Sequence, residues 1–188
     1  MMLKRILDIL ICILLLPVFV MIMIPVAIGI KLNSKGPVFI WSRRVGRNNI
    51  LFLMPKFRSM RTDTPQVATH LLTNPEQHIT TFGKFLRKTS LDELPQLLTV
   101  LSGAMSLVGP RPALFNQNDL VQLRTLHKVH LLKPGITGWA QINGRDEISI
   151  AEKVNLDEEY LRKQNLFFDI KIIGLTALQV LKKENISH

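Results

Sequence analysis

The sequence predicts an α+β fold, mostly helical, in which an N-terminal membrane helix leads into a small β-hairpin and a set of amphipathic helices. Three observations carry that expectation. The stretch Ile9–Ile30 holds no charged residue, and as a helix it reaches roughly 33 Å, enough for the hydrocarbon core of a bilayer. Val38-Phe39-Ile40-Trp41 and Ile50–Met54 are short strand-forming runs on either side of the turn Val45-Gly46-Arg47-Asn48-Asn49. Leu166–Lys183 sorts at helical spacing into two sides. Asp169, Lys171, Thr176, Gln179, Lys182 and Lys183 share one, with Ile170, Ile173, Ala177, Val180 and Leu181 opposite.

The apolar block reads two ways. A single transmembrane span fits its length. A signal peptide does not, because the run is too long and no small-x-small cleavage site follows. Lys4 and Arg5 precede the block, and Lys31, Lys35, Arg43, Arg44 and Arg47 follow it. The positive-inside rule wants both flanks in the cytoplasm, and Pro17 and Pro25 each kink a helix. A bent, re-entrant helix meets both conditions. On the residues alone the two readings stand level.

After the hairpin, residues 62–80 read as a polar loop around a short helix. Phe82–Lys88 is basic and amphipathic. Ser90–Leu101 reads as one helix stopped by Gly103, with Ser90 and Glu93 spaced as a capping box. Gly109-Pro110-Arg111-Pro112 is a stiff irregular turn, Asn118–Val129 a helix, Lys133–Arg145 a glycine-rich loop and Ile150–Gln164 a charged helix. Trp139 is suited to stacking on a base or sugar, with packing into the core the plainer reading. The tail helix either packs inward or lies on a bilayer surface.

Composition narrows the partners. The chain has 188 residues, 47% of them hydrophobic, which suits one globular domain (36–188) behind a membrane segment (1–35). Lys and Arg total 24 against 14 Asp and Glu, a net charge of +10. Such a balance points to nucleic acid, anionic lipid or phosphate-rich small molecules. Cys12 is the only cysteine, which excludes a disulfide or a Cys-based zinc site within one chain.

The candidate chemistry centres on Arg87-Lys88-Thr89-Ser90-Leu91-Asp92-Glu93-Leu94-Pro95-Gln96. Two adjacent carboxylates beside two cations suit a phosphate–metal site, one attacking while the other holds Mg²⁺. The plain alternative is a helix start with acidic residues at its positive end. Lys56-Phe57-Arg58, Gly109-Pro110-Arg111-Pro112 and Asn143-Gly144-Arg145 set cations in rigid turns, where an arginine fork matches phosphate oxygens. Gln141 is suited to hydrogen-bonding a base or sugar. His127 and His130 lie three apart without a metal motif, and neither a P-loop nor a nucleophile elbow is present.

Read together, these segments resemble the bacterial sugar transferase family, the monotopic phosphoglycosyl transferases. The resemblance runs from Lys4-Arg5-Ile6-Leu7-Asp8 to about Lys183. It includes Lys56-Phe57-Arg58-Ser59-Met60, the segment around Asp92 and Glu93, Met105-Ser106-Leu107-Val108-Gly109-Pro110-Arg111-Pro112 and Pro134–Arg145. It implies the reaction of a UDP-sugar with polyprenyl phosphate, giving polyprenyl-diphosphate-sugar and UMP. It also implies Asp92 as nucleophile, forming a covalent phosphosugar intermediate, with Glu93 helping to hold Mg²⁺. Arg87 would contact phosphate, and Arg111 and Arg145 occupy matching basic positions. A minimal member enters the lipid by a re-entrant helix, which favours that reading. The catalytic domain is then expected on the cytoplasmic face of the bacterial inner membrane, at the first membrane step of a glycoconjugate pathway. Two departures stand out: the prolines lie about one turn either side of Val20-Met21, where the family has Ser-Pro, and Ala104 replaces the aspartate of Gly-Asp-Met-Ser.

Two rival classes remain. A membrane-tethered nucleic-acid binder fits the charge, but aromatic residues make up only 6% and no helix-turn-helix or RNA-binding signature is visible. An inactive scaffold of a glycan assembly complex is opposed by the intact Asp-Glu pair. The sequence leaves the sugar and the oligomeric state open.

Overall fold

The computed structural model describes residues 2–65, 74–144 and 148–182. Helix α1 spans Met2–Asn33 and runs without interruption through Pro17 and Pro25. Its buried residues are Asp8, Cys12, Phe19, Val26 and Ile30, a single stripe at four- and seven-residue steps. Leu14, Met21, Ile24 and Ile28 are exposed on the other side.

Both ends of α1 are fastened to the same body. Near its start, Lys4 Nζ donates to Asp169 Oδ2 at 2.6 Å and to the carbonyl of Val108 at 2.9 Å. At its end, Arg58 donates to the carbonyls of Lys35 and Ser34 at 2.6 and 2.7 Å.

Strands β1 (Phe39–Val45) and β2 (Leu51–Phe57) form the expected antiparallel hairpin, each starting one residue later than the sequence run and continuing past its end. Asn48 and Asn49 adopt left-handed backbone, φ 56° and 61°, which asparagine tolerates and most residues do not. Two short helices follow, α2 (Pro75–His78) and α3 (Thr81–Lys88). Thr80 Oγ1 caps α3 by accepting from the backbone N–H of Gly83. Any Cβ at Gly83 would sit 1.9 Å from the carbonyl oxygen of Ser59, so glycine is what lets α3 close on the end of β2.

The expected single helix Ser90–Leu101 is not formed. Leu91–Glu93 make a 3₁₀ turn, and α4 begins only at Gln96, ending at Ser102. Ser90 has φ 56° and makes no side-chain cap. The capping box fails because the Glu93 carboxylate is drawn to Lys56 and Arg111 instead. A reciprocal capping box does start the helix Ile150–Lys163, between Ser149 and Glu152.

The segment read as a glycine-rich loop holds one strand of a second sheet, whose partner lies just before the Gly109–Pro112 turn. Strands β3 (Ser106–Val108) and β4 (Gly135–Thr137) pair in parallel, Ser106 opposite Gly135 and Val108 opposite Thr137. Between them lie α5 (Asn118–Leu126) and a 3₁₀ turn at Val129–Leu131, and α6 (Trp139–Ile142) follows β4. Helices α7 (Ile150–Lys163) and α8 (Leu166–Lys182) close the described chain. In the main core cluster Phe57, Leu86, Val100, Met105, Val108, Tyr160 and Ile172 join the buried stripe of α1, and a smaller cluster holds Ala113, Leu120 and Val154.

Helix α8 keeps Lys171 outward and Ile173 against the core as expected, but departs from the expected sides at other positions. Asp169, placed on the polar side, is 1% exposed, and Ile172 is fully buried, while Ile170 and Val180 from the apolar side are 50% and 41% exposed. The reason is the cation of Lys4, which draws Asp169 inward into a buried ion pair.

Candidate active site

Asp92 and Glu93 sit on the 3₁₀ turn between α3 and α4. Their side chains receive opposite treatment. Glu93 Oε1 accepts from Lys56 Nζ at 2.9 Å and from Arg111 Nη2 at 2.7 Å. Burial works against its ionisation, but the charges of Arg111 and Lys56 and their hydrogen bonds outweigh that and hold its pKa well below the usual carboxylate range. Asp92 is 6% exposed. Among the described residues its carboxylate accepts no hydrogen bond. Burial raises its pKa, with the neighbouring Glu93 charge adding to the rise and Lys56, Arg87 and Arg111 opposing it.

The sequence candidates therefore separate. Lys56, on β2, and Arg111, in the turn after β3, meet at Glu93. Arg87, at the end of α3, donates through Nε to Ser59 Oγ at 3.2 Å. Asp92 and Glu93 favour its charge against the cost of burial. Arg58 lies elsewhere: its donors hold the carbonyls of Ser34 and Lys35, just past the end of α1. Arg145 falls outside the described residues. Trp139 is half-buried against Phe168, ring centroids 5.0 Å apart, and donates through Nε1 to Glu159 at 2.8 Å.

A cavity of about 430 Å³ opens beside the pair. Arg111, Arg124, Lys153 and Gln141 bring polar groups to it, while Leu15 of α1 and Val180 of α8 bring apolar ones. Arg124 carries no local sequence signal. Its guanidinium is buried, donating to Asp157 Oδ2 at 2.6 and 3.0 Å and to the Arg111 carbonyl at 2.7 Å. It thereby fixes the turn that presents Arg111. Only the packing of α5 on α7 brings these residues together.

No group of three or more His, Cys, Asp or Glu able to hold a metal forms among the described residues. Asp92 and Glu93 nevertheless fit Mg²⁺, which takes one or two carboxylates and completes its shell with water and substrate phosphate.

Fold and site thus define a class: an α+β body carrying an acidic pair among clustered cations, docked along a helix long and apolar enough to cross a membrane. The family model for bacterial sugar transferases matches residues 1–183, and the chain belongs to that family. It is 45% identical over 168 residues to the UDP-glucose:undecaprenyl-phosphate glucose-1-phosphate transferase of Xanthomonas campestris pv. campestris, covering 85% of this chain and 35% of that one. It is 36% identical over 184 residues to the UDP-N-acetylgalactosamine-undecaprenyl-phosphate N-acetylgalactosaminephosphotransferase of Aeromonas hydrophila, covering 95% and 43%. An uncharacterised sugar transferase of Bacillus subtilis (strain 168), EpsL, is 43% identical over 188 residues, covering 100% and 92%. The chain spans well under half the length of the Xanthomonas and Aeromonas relatives.

Proposed function

We propose that the protein transfers a phosphosugar from a UDP-sugar to a polyprenyl phosphate, giving polyprenyl-diphosphate-sugar and UMP. The observation that carries this reading is the contrast within the acidic pair. Glu93 Oε1 is hydrogen-bonded by two cations, whereas Asp92 is buried beside a cavity and carries no hydrogen bond among the described residues, feeling the charges of Lys56, Arg87 and Arg111 at a distance. A carboxylate held near cations but not bonded to them suits attack better than capping.

In the first step an Asp92 oxygen attacks the phosphorus that bears the sugar. The bond from that phosphorus to the UMP oxygen breaks, and UMP leaves with the electron pair. In the second step an oxygen of polyprenyl phosphate attacks the same phosphorus, and the bond to Asp92 breaks to restore the carboxylate. Arg111 neutralises phosphate oxygens, Lys56 steadies Glu93, and Arg87 adds positive potential. Mg²⁺, held by Glu93 and Asp92, would draw charge from the phosphate oxygens when bound. The Xanthomonas and Aeromonas relatives are named for UDP-sugars and undecaprenyl phosphate, which supports both substrates.

The reading places the protein at the bacterial inner membrane with its catalytic domain on the cytoplasmic face, in the first membrane step of a glycoconjugate pathway. Support for a re-entrant α1 comes from its fastened ends. A span would separate them across about 30 Å of hydrocarbon, yet Lys4 and the Ser34–Lys35 carbonyls all bond to one body. Exposed Phe167, Ile170 and Leu178 on α8 suit a helix lying against lipid. Leu15 and Val180 in the cavity wall give a lipid substrate an apolar approach.

The test is intact-protein mass after exposure to a UDP-sugar without acceptor. An adduct of one phosphosugar is expected on the wild type and none on Asp92→Asn. An unmodified wild type that also releases no UMP would leave a scaffold in place of an enzyme.

A further inference from the structure

Gln141, on the four-residue helix α6, is 8% exposed and lines the 430 Å³ cavity. Both its amide nitrogen and its amide oxygen are shut from water, and neither has a hydrogen-bond partner among the described residues. Buried amides left unpaired on both sides are uncommon and costly in native interiors. Polar groups of the surrounding elements bond to one another and not to it. Thr137 and Thr176, also in the cavity wall, hydrogen-bond each other at 2.6 Å, and Gln179 Nε2 donates to the Ile142 carbonyl at 2.8 Å.

The position of Gln141 relative to Arg111 is fixed. The Gly109 N–H donates to the Thr137 carbonyl at 2.8 Å, and the Gly135 N–H donates to the Pro110 carbonyl at 2.9 Å. These bonds stitch the turn carrying Arg111 to the strand that leads into α6. A Cβ at Gly138 would fall 2.1 Å from the Gly109 carbonyl and 2.7 Å from Gln141 Oε1. Glycine there allows the two segments to touch and the amide to lie against them.

We infer that Gln141 determines donor specificity by pairing its amide with a ligand group that presents an N–H beside a C=O. Its terminal torsion is soft, so a small rotation turns the amide toward a ligand whose phosphates lie on Arg111. On a UDP-sugar, two groups have that chemistry: the imide edge of uracil, and the acetamido group of an N-acetylated sugar. A plain hexose hydroxyl does not present the pair in one plane. Ile136 and Ala140 line the same wall, and in such a dry setting an unmatched amide discriminates strongly. This inference rests on the cavity being the UDP-sugar site.

The experiment compares wild type, Gln141→Met and Gln141→Glu as full chains in nanodiscs, measuring affinity for UMP, UDP-glucose and UDP-N-acetylglucosamine, kcat, and melting temperature. Gln141→Met removes an unpaired amide, so the empty protein should melt no lower than wild type. Its affinity should fall roughly ten- to a hundredfold for each ligand that carries the matching group. Equal weakening of all three ligands assigns the uracil edge, and weakening of the N-acetylated donor alone assigns the acetamido group. Gln141→Glu keeps the size and loses the N–H donor, and it should weaken the same ligands. Affinities within twofold of wild type for all three overturn the inference, as does a lower melting temperature with a matching loss of kcat. Failure of the wild type to bind any nucleotide refutes the cavity assignment itself.

Discussion

Lys4 and Asp169 meet at 2.6 Å across 165 residues of sequence, joining the start of the first helix to the last helix in the interior of the protein. Tyr160 completes the knot, its hydroxyl donating to the second Asp169 oxygen at 2.7 Å. Removing one partner strands a charge in a site that water barely reaches. Asp169→Ala should therefore cost about 3 kcal/mol of stability, the low end for a broken buried pair because Lys4 keeps some exposure. Lys4→Met with Asp169→Leu should cost less than Asp169→Ala alone. Chemical denaturation in detergent measures both.

Arg124 offers a test of positioning. Arg124→Lys keeps the charge but loses the planar fork that reaches Asp157 and the Arg111 carbonyl together. The expected result is a folded protein whose KM for the donor rises about tenfold, one or two hydrogen bonds' worth of binding. An unchanged KM would detach Arg124 from the Arg111 turn.

The architecture was legible where local pattern decides it: the apolar helix, the hairpin around Gly46–Asn49 and the charged helix beginning near Ile150. Glu93 shows where pattern fails. Its spacing from Ser90 signals a capping box, yet two distant cations, Lys56 and Arg111, outbid one backbone N–H. Strands β3 and β4 escaped because three-residue parallel strands have too little length to show a period. Asp169 and Arg58 misled for a related reason. Each is satisfied by a partner far along the chain, on α1 or at its exit, and helical spacing carries no record of that partner. Lys56, Arg111 and the acidic pair were visible as types before they were visible as neighbours.

Activity should show an acid limb displaced upward. The Asp92 pKa is raised by burial, and attack needs its ionised form, so turnover should rise as pH climbs through a value above the ordinary aspartate range of about 3.9. Glu93 is held ionised throughout by Arg111 and Lys56. A carboxyl whose folded-state pKa is raised stabilises the fold below its unfolded pKa, and that contribution is lost as pH rises through the folded value. At neutral pH ionised Asp92 is a cost, so Asp92→Asn should melt at the same temperature as wild type or higher while turnover disappears. A pH–rate profile and paired melts check both.

Turnover should require a divalent cation, and Glu93→Gln should raise the Mg²⁺ concentration needed for half-maximal activity by about tenfold or more. The same change releases Lys56 and Arg111 from their shared partner. Donor affinity at saturating Mg²⁺ should for that reason move less than the metal requirement. Full activity in excess EDTA would remove the metal from the mechanism.

The course of α1 is open to a direct test. Met2 is 82% exposed and Leu32 is 84% exposed at opposite ends of the helix, so each accepts a cysteine without disturbing the contacts of Lys4, Arg5 or the Ser34–Lys35 carbonyls. Cys12, buried against the body, is replaced by alanine to clear the background. A re-entrant helix leaves both new thiols on the cytoplasmic side, protected from an impermeant maleimide in intact spheroplasts and labelled once the membrane is opened. A span exposes one of them from outside. The fastening at both ends favours the first outcome, since a span would have to break either the Lys4–Asp169 pair or the Arg58 hold on the helix exit. Breaking either would leave a charged side chain stranded, at a cost of several kcal/mol. Labelling of Met2→Cys or Leu32→Cys in intact spheroplasts, with the other protected, would establish the span and require one of those contacts to be absent in the membrane.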